Sequence, residues 1–124
     1  MQARGYFATA GLLLAIATMV GALAEHVLQT QLSPAQLGAL HTAVNYQFFN
    51  ALGLLAVGML AQQQGDSRWL RASASLLIVG IISFSGGIYI MLAGAPRMLG
   101  LVTPLGGVLL ITGWLTFTIA ALRR

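Results

Sequence analysis

No cysteine occurs in the 124 residues, and no lysine. The first absence excludes disulfides, thiolate metal sites and cysteine nucleophiles, and says nothing about redox compartment. The second leaves six arginines to carry the basic charge against Glu25 and Asp66, for a net charge of +4. Charge of either sign is scarce, at 6% of residues, where soluble domains carry about 25%. Hydrophobic residues make up 58%, and mean hydropathy is +0.87. A water-soluble domain needs more charge to cover its surface, and the medium expected around this chain is lipid.

A pI near 10.8 on a soluble protein would suggest nucleic acid. These arginines instead stand singly or in pairs at the ends of apolar runs, where topology signals belong, and no nucleic-acid partner is expected.

A membrane helix takes about 20 mostly apolar residues, so the length holds four spans and little else. The reading is an all-α, four-helix transmembrane bundle, one integral-membrane domain over residues 1–124. Its spans lie at about 5–24, 42–61, 70–93 and 103–122. The first begins like a secretory signal, with Ala22-Leu23-Ala24 in the small-x-small pattern of a cleavage site. Its apolar run is long enough to span, and it is expected to remain in the bundle. Gly11 with Ala15, and Thr18 with Ala22, place small residues on one side of it, which predicts a close helix contact there.

The second helix has a marked start: Ser33 as cap, Pro34 at the first position and Gln36 completing a capping box. Nothing breaks it before Gly65, giving a run from Pro34 to Gln64 of about 46 Å. The hydrocarbon core is only about 30 Å thick, so residues 34–41 are placed at the interface. Asp66 or Ser67 caps the third helix, with Trp69 at headgroup level, and Gly94-Ala95-Pro96 ends it. Thr103 and Pro104 read as cap and first residue of the fourth, which runs to Leu122.

With the N-terminus inside, Arg4, Arg68, Arg71, Arg123 and Arg124 are cytoplasmic and only Arg97 is outside. Both termini are therefore expected to be cytoplasmic. That topology gathers a candidate polar cluster in the outer half of the bilayer. It comprises Glu25 and His26; His41, Asn45, Tyr46, Gln47 and Asn50; Ser83, Ser85 and Tyr89; and Thr103. The inner half offers mainly Thr9, Ser73, Ser75, Thr112, Thr116 and Thr118, which can bond their own backbone. A buried amide without partners costs on the order of 2–7 kcal/mol, so Asn45, Gln47 and Asn50 need partners. At 100° per residue Tyr46 and Asn50 share a face with Gly53 and Val57, His41 and Asn45 share another, and Gln47 lies about 200° from Asn45. One neighbour cannot serve them all. Either this helix is surrounded in its outer half, or a subunit contact or water-filled vestibule covers one side, and the second is expected.

Several of these motifs, taken together, resemble a known family. They are Gly21 to Leu28 (Gly-Ala-Leu-Ala-Glu-His-Val-Leu), Tyr46-Gln47 with Asn50-Ala51-Leu52, Phe84 to Tyr89, Gly100 to Gly107, and Gly113-Trp114. In order and spacing they are similar to the domain of unknown function 423 family: small bacterial inner-membrane proteins of four predicted helices, related to the transmembrane protein 256 family. The resemblance implies architecture and location rather than a chemistry. Three positions depart from the family pattern: Ala24-Glu25 stands for glycine-alanine, Asn50 for the usual histidine, and Gly87 for a serine. Any ligand role for a histidine at the Asn50 position is closed to this chain, with His41 a partial substitute.

Each sharper reading has a plainer rival. Glu25 and His26 form either a proton-handling pair or a helix end at the interface, and the second is favoured. His26 and His41 lack the attachment motif or close-spaced ligands of a haem or metal site. Tyr46, Tyr89 and Trp114 either flank a quinone or lipid tail or serve as packing, and packing is favoured. Ser83, Ser85 and His26 come without a nucleophile elbow. No catalytic, metal or cofactor residue is expected. The leading reading is a non-enzymatic inner-membrane protein that is structural or contacts lipid, a second copy or another membrane protein. The alternative is a small channel or transporter with its polar path in the outer half.

Overall fold

The computed structural model describes residues 2–123 except for the Arg97 side chain. Arg124, counted above among the inner charges, lies outside the described residues, as does the side chain of Arg97. Among those described, the chain forms four α-helices: α1 Ala3–His26, α2 Pro34–Gln64, α3 Arg68–Leu92 and α4 Val102–Leu122. Short 3-10 turns, Leu28–Thr30 and Arg97–Leu101, join α1 to α2 and α3 to α4. All four helices are long and apolar enough to cross a bilayer. The large contacts run between chain neighbours, α3 with α4 most extensively, and α2 also touches α4.

The turns follow from local chemistry. At the start of α2, Ser33 Oγ accepts from the Gln36 amide at 3.1 Å while Gln36 Oε1 accepts from the Ser33 amide at 2.9 Å, the full capping box. Gly65 ends the helix at φ +84°, a conformation that costs glycine little. Ser67, not Asp66, caps α3, accepting from the Leu70 amide at 3.2 Å. Asp66 Oδ1 instead accepts from the Ser67 amide and from the Tyr6 hydroxyl, tying the start of α1 to the end of α2.

Two sequence expectations change. α4 starts at Val102 out of a 3-10 turn, with no side-chain cap, so Thr103 is not its cap. Pro104 still sits in the first turn, where a missing N–H goes unnoticed. On α1, Gly11, Ala15, Thr18 and Ala22 all face outward, and nothing lies within 4 Å of the position a Gly11 Cβ would take. The buried stripe is Tyr6, Ala10, Ala17 and Ala24. Both sides of α1 are apolar and small-residue rich, so a lipid-facing side and a helix-facing side look alike in sequence.

Glycines set the closeness of the other contacts. A Cβ on Gly58 would meet the Phe7 ring at 2.8 Å, one on Gly80 the Leu110 side chain at 2.7 Å, and one on Gly53 the Trp114 indole at 2.5 Å. The tightest approach is Gly106, whose Cα lies so near α3 that a Cβ would collide with the backbone of Phe84. Close backbone approach of this kind replaces the missing hydrophobic drive between helices in lipid. Two apolar clusters result. One holds Tyr6, Ala10, Leu54, Val57, Leu70 and Leu77, and the other holds Ala17, Ala24, Leu40 and Val44.

Gly106→Ala therefore forces α3 and α4 apart and is expected to lower stability by about 1–3 kcal/mol. Gly86→Ala, with nothing within 4 Å of its Cβ position, is expected to change stability little. Unfolding in mixed micelles of increasing SDS content checks the contrast.

Candidate functional site

Between the two apolar clusters lies a polar layer. On α2, Val44 belongs to one cluster and Ala51 to the other; Gln47 and Asn50 fall between them. Both amides are buried, Gln47 at 2% exposure and Asn50 at 5%, and both are bonded at each end. Gln47 Nε2 donates to the Leu13 carbonyl of α1, and the Tyr89 hydroxyl of α3 donates to Gln47 Oε1, each at 2.7 Å. Asn50 Nδ2 donates to the Tyr46 carbonyl of its own helix, and the Trp114 indole of α4 donates to Asn50 Oδ1, again at 2.7 Å. Two side chains on one helix thus bond to all three others. No buried side-chain nitrogen or oxygen among the described residues lacks a partner, as a hydrocarbon interior demands.

Ser85 is fully buried and donates to the Ala43 carbonyl at 2.7 Å, joining α3 to α2. Tyr46 stacks on Phe84 with ring centroids 4.7 Å apart. Thr103 packs its hydroxyl against Gly87, and Ser83 is half-buried. The remaining candidates lie outside the layer. Glu25 Oε1 and His41 Nε2 are 3.5 Å apart across α1 and α2, both exposed, a pairing of the kind that adds little stability. Glu25 therefore faces His41 rather than its chain neighbour. His26 and Asn45 are exposed. Among the described residues, no three His, Cys, Asp or Glu side chains gather as a metal site would require.

Helical geometry explains the split on α2. Asn45 is five residues before Asn50, hence about 140° away around the axis. His41 is nine residues before, about 180° away. Asn45 points away from the arc that α1, α3 and α4 cover, with Phe49, Leu52 and Met59 exposed on the same open side, while His41 sits at the edge of that arc and reaches Glu25 of α1.

Three contributors are absent from the sequence-based cluster. Trp114 supplies the α4 donor in place of Thr103. The Leu13 carbonyl supplies the α1 acceptor in place of Glu25 or His26. Ser73 reaches across to the Gly113 carbonyl at 2.9 Å, whereas Thr112, Thr116 and Thr118 bond their own helix. Trp114 carried a usable signal: an indole N–H at mid-span needs an acceptor. The Leu13 carbonyl carried none, because every residue has one.

Four apolar helices whose buried polar groups are all bonded internally define a multi-span integral membrane protein. The chain belongs to the family described as Protein of unknown function (DUF423), whose model matches residues 20–107. It is 37% identical over 109 residues to a UPF0382 membrane protein of Staphylococcus saprophyticus, covering 87% of this chain and 88% of the relative. It is 34% identical over 108 residues to the UPF0382 membrane protein YwdK of Bacillus subtilis, covering 87% and 88%. It is 33% identical over 104 residues to the UPF0382 inner membrane protein YgdD of Escherichia coli, covering 84% and 79%. No solved structure matches the chain.

Gln47→Leu strips the Tyr89 hydroxyl of its acceptor and is expected to cost about 1–3 kcal/mol. In the Tyr89→Phe background the same substitution is expected to cost less, since no hydroxyl is orphaned. SDS unfolding of the four-member cycle measures the difference. Equal costs in both backgrounds would mean that the bond contributes nothing.

Proposed function

We propose that the protein is a non-enzymatic structural element of the bacterial inner membrane that works by contact, with the open side of α2 as its contact surface and a second copy as its partner. The observation that carries this reading is Asn45. Its amide lies about one turn inside the expected span, on the side of α2 that no other helix of the chain covers. An amide facing hydrocarbon is costly unless something bonds it. Asparagine carries both donor and acceptor, so across a two-fold axis it can satisfy its own copy. The exposed His41–Glu25 pair, which joins α2 to α1, lies one turn nearer the membrane surface.

Catalysis has little to draw on. The Ser85 hydroxyl is committed to a carbonyl, and neither Ser83 nor Ser85 bonds a histidine among the described residues. A conducting path is equally poorly supplied, because Gln47 and Asn50 are held at both ends between two apolar clusters. The distribution of arginines supports cytoplasmic placement of both termini.

The expected outcome is a dimer or larger homo-oligomer when protein in mild detergent is analysed by native mass spectrometry. Asn45→Leu is expected to shift it toward monomer while leaving SDS unfolding of the monomer within about 0.5 kcal/mol of wild type. A monomeric wild type, or an assembly indifferent to Asn45→Leu, overturns the reading.

A further inference from the structure

α2 and α4 run parallel, and Trp114 rests on Gly53 and bonds Asn50 where they meet. On the Tyr46 side of that contact they part, leaving a lateral cleft of about 450 Å³. Tyr46, Phe49, Asn50, Phe84, Gly107 and Trp114 line it, with the Tyr46 and Phe84 rings stacked on each other. The volume falls in the roughly 300–1,000 Å³ range of small-molecule sites. Phe49 and Ile111 in the lining are each about 60% exposed, so the mouth opens sideways, toward lipid rather than toward either aqueous face. This face adjoins the Asn45 side of α2, and Phe49 borders both.

The cleft is not simply greasy. Of the three tyrosines, Tyr6 and Tyr89 donate their hydroxyls to side chains, while the Tyr46 hydroxyl makes no such bond among the described residues. Asn50 lines the cleft and keeps a second amide proton and a second carbonyl lone pair beyond the bonds it already makes. The lining therefore offers two hydrogen-bond donors, one further acceptor, four aromatic rings and no charge.

Depth limits what can answer those groups. Measured from the ends of the expected span, Thr42 and Ala61, Asn50 lies about 12 Å and 17 Å deep along α2, and Tyr46 lies about 6 Å inside the outer edge, so the cleft sits in the outer half of the hydrocarbon. Phosphate headgroups lie beyond that edge, and no charged side chain lines the cleft to hold one. An occupant must therefore be neutral, arrive through the hydrocarbon and bring its polar atoms with it. Flat aromatic walls favour a planar ring, and the donors favour ring carbonyls. We infer that the cleft between α2 and α4 binds the ring of a membrane-soluble quinone, with Tyr46 and Asn50 donating to its carbonyls and Phe49 and Trp114 enclosing its faces.

Trp114 in the wall provides the reporter, since quinones in contact quench indole fluorescence. Trp69, the other tryptophan, lies beside Arg68 and Arg123 and outside the cleft. The full chain carrying Trp69→Phe, in phosphatidylcholine nanodiscs, is titrated with decylubiquinone and, separately, with a decyl naphthoquinone. Saturable quenching by either probe is expected, and the better one identifies the ring. The Trp114→Phe protein, reporting from Trp69, is expected to give only linear collisional quenching. Gly107→Leu fills the cleft and is expected to abolish saturation; at Gly107 a Cβ meets Phe84 only at ordinary contact distance, 3.7 Å. Tyr46→Phe removes one donor without changing shape and is expected to raise the midpoint about fivefold. Linear quenching at Trp114, saturation unaffected by both Gly107→Leu and Tyr46→Phe, or equal displacement by decyl alcohol overturns the proposal.

Discussion

Gln47 holds the assembly in register. Its amide accepts from Tyr89 and donates to the Leu13 carbonyl, so one side chain bridges three helices at a single depth. In water such a bond competes with solvent. In hydrocarbon a rotation of α1 or α3 that breaks it leaves a polar group with nothing to bond. Measured interhelical bonds in membranes average only about 0.6 kcal/mol, so its value lies in choosing one arrangement over its neighbours. Asn50 does the same for α4 through the Trp114 indole. Closeness has a different source: the missing side chains at Gly58, Gly80, Gly87 and Gly106, which let neighbouring atoms approach within contact distance.

The helices were legible because their ends are written in local chemistry. Ser33 and Gln36 form the box their spacing predicts, Gly65 and Gly94 take the positive φ that ends a helix cheaply, and Ser67 caps α3. The start of α4 was misread because Thr103 followed by proline imitates a cap, while the backbone enters through a 3-10 turn instead. The packing face of α1 was misread for a deeper reason. In a soluble helix polarity separates inside from outside; here both sides are apolar, and only the neighbours distinguish Ala10 and Ala17 from Gly11 and Ala15.

The candidate cluster was legible as a list but not as a geometry. That α2 could not turn all its polar groups to one partner followed from 100° per residue, and the structure divides them as that angle requires. Gln47 and Asn50 go inward, while His41 and Asn45 go outward. Which carbonyl or indole receives each group depends on helix pairing and depth, and neither is encoded near the amide itself. α2 is thus two-sided in form, one side holding the other three helices and the other exposed.

Because the large contacts join chain neighbours, the protein is built so that it can assemble in the order of its synthesis, hairpin by hairpin. The Gln47 bridge closes as soon as α3 arrives. The Asn50 bridge to Trp114 waits for the last helix, and until then the Asn50 carbonyl is held in oil without its donor. A chain cut short before α4 therefore carries its own mark of incompleteness, a vacant acceptor within the membrane where water cannot replace the missing indole.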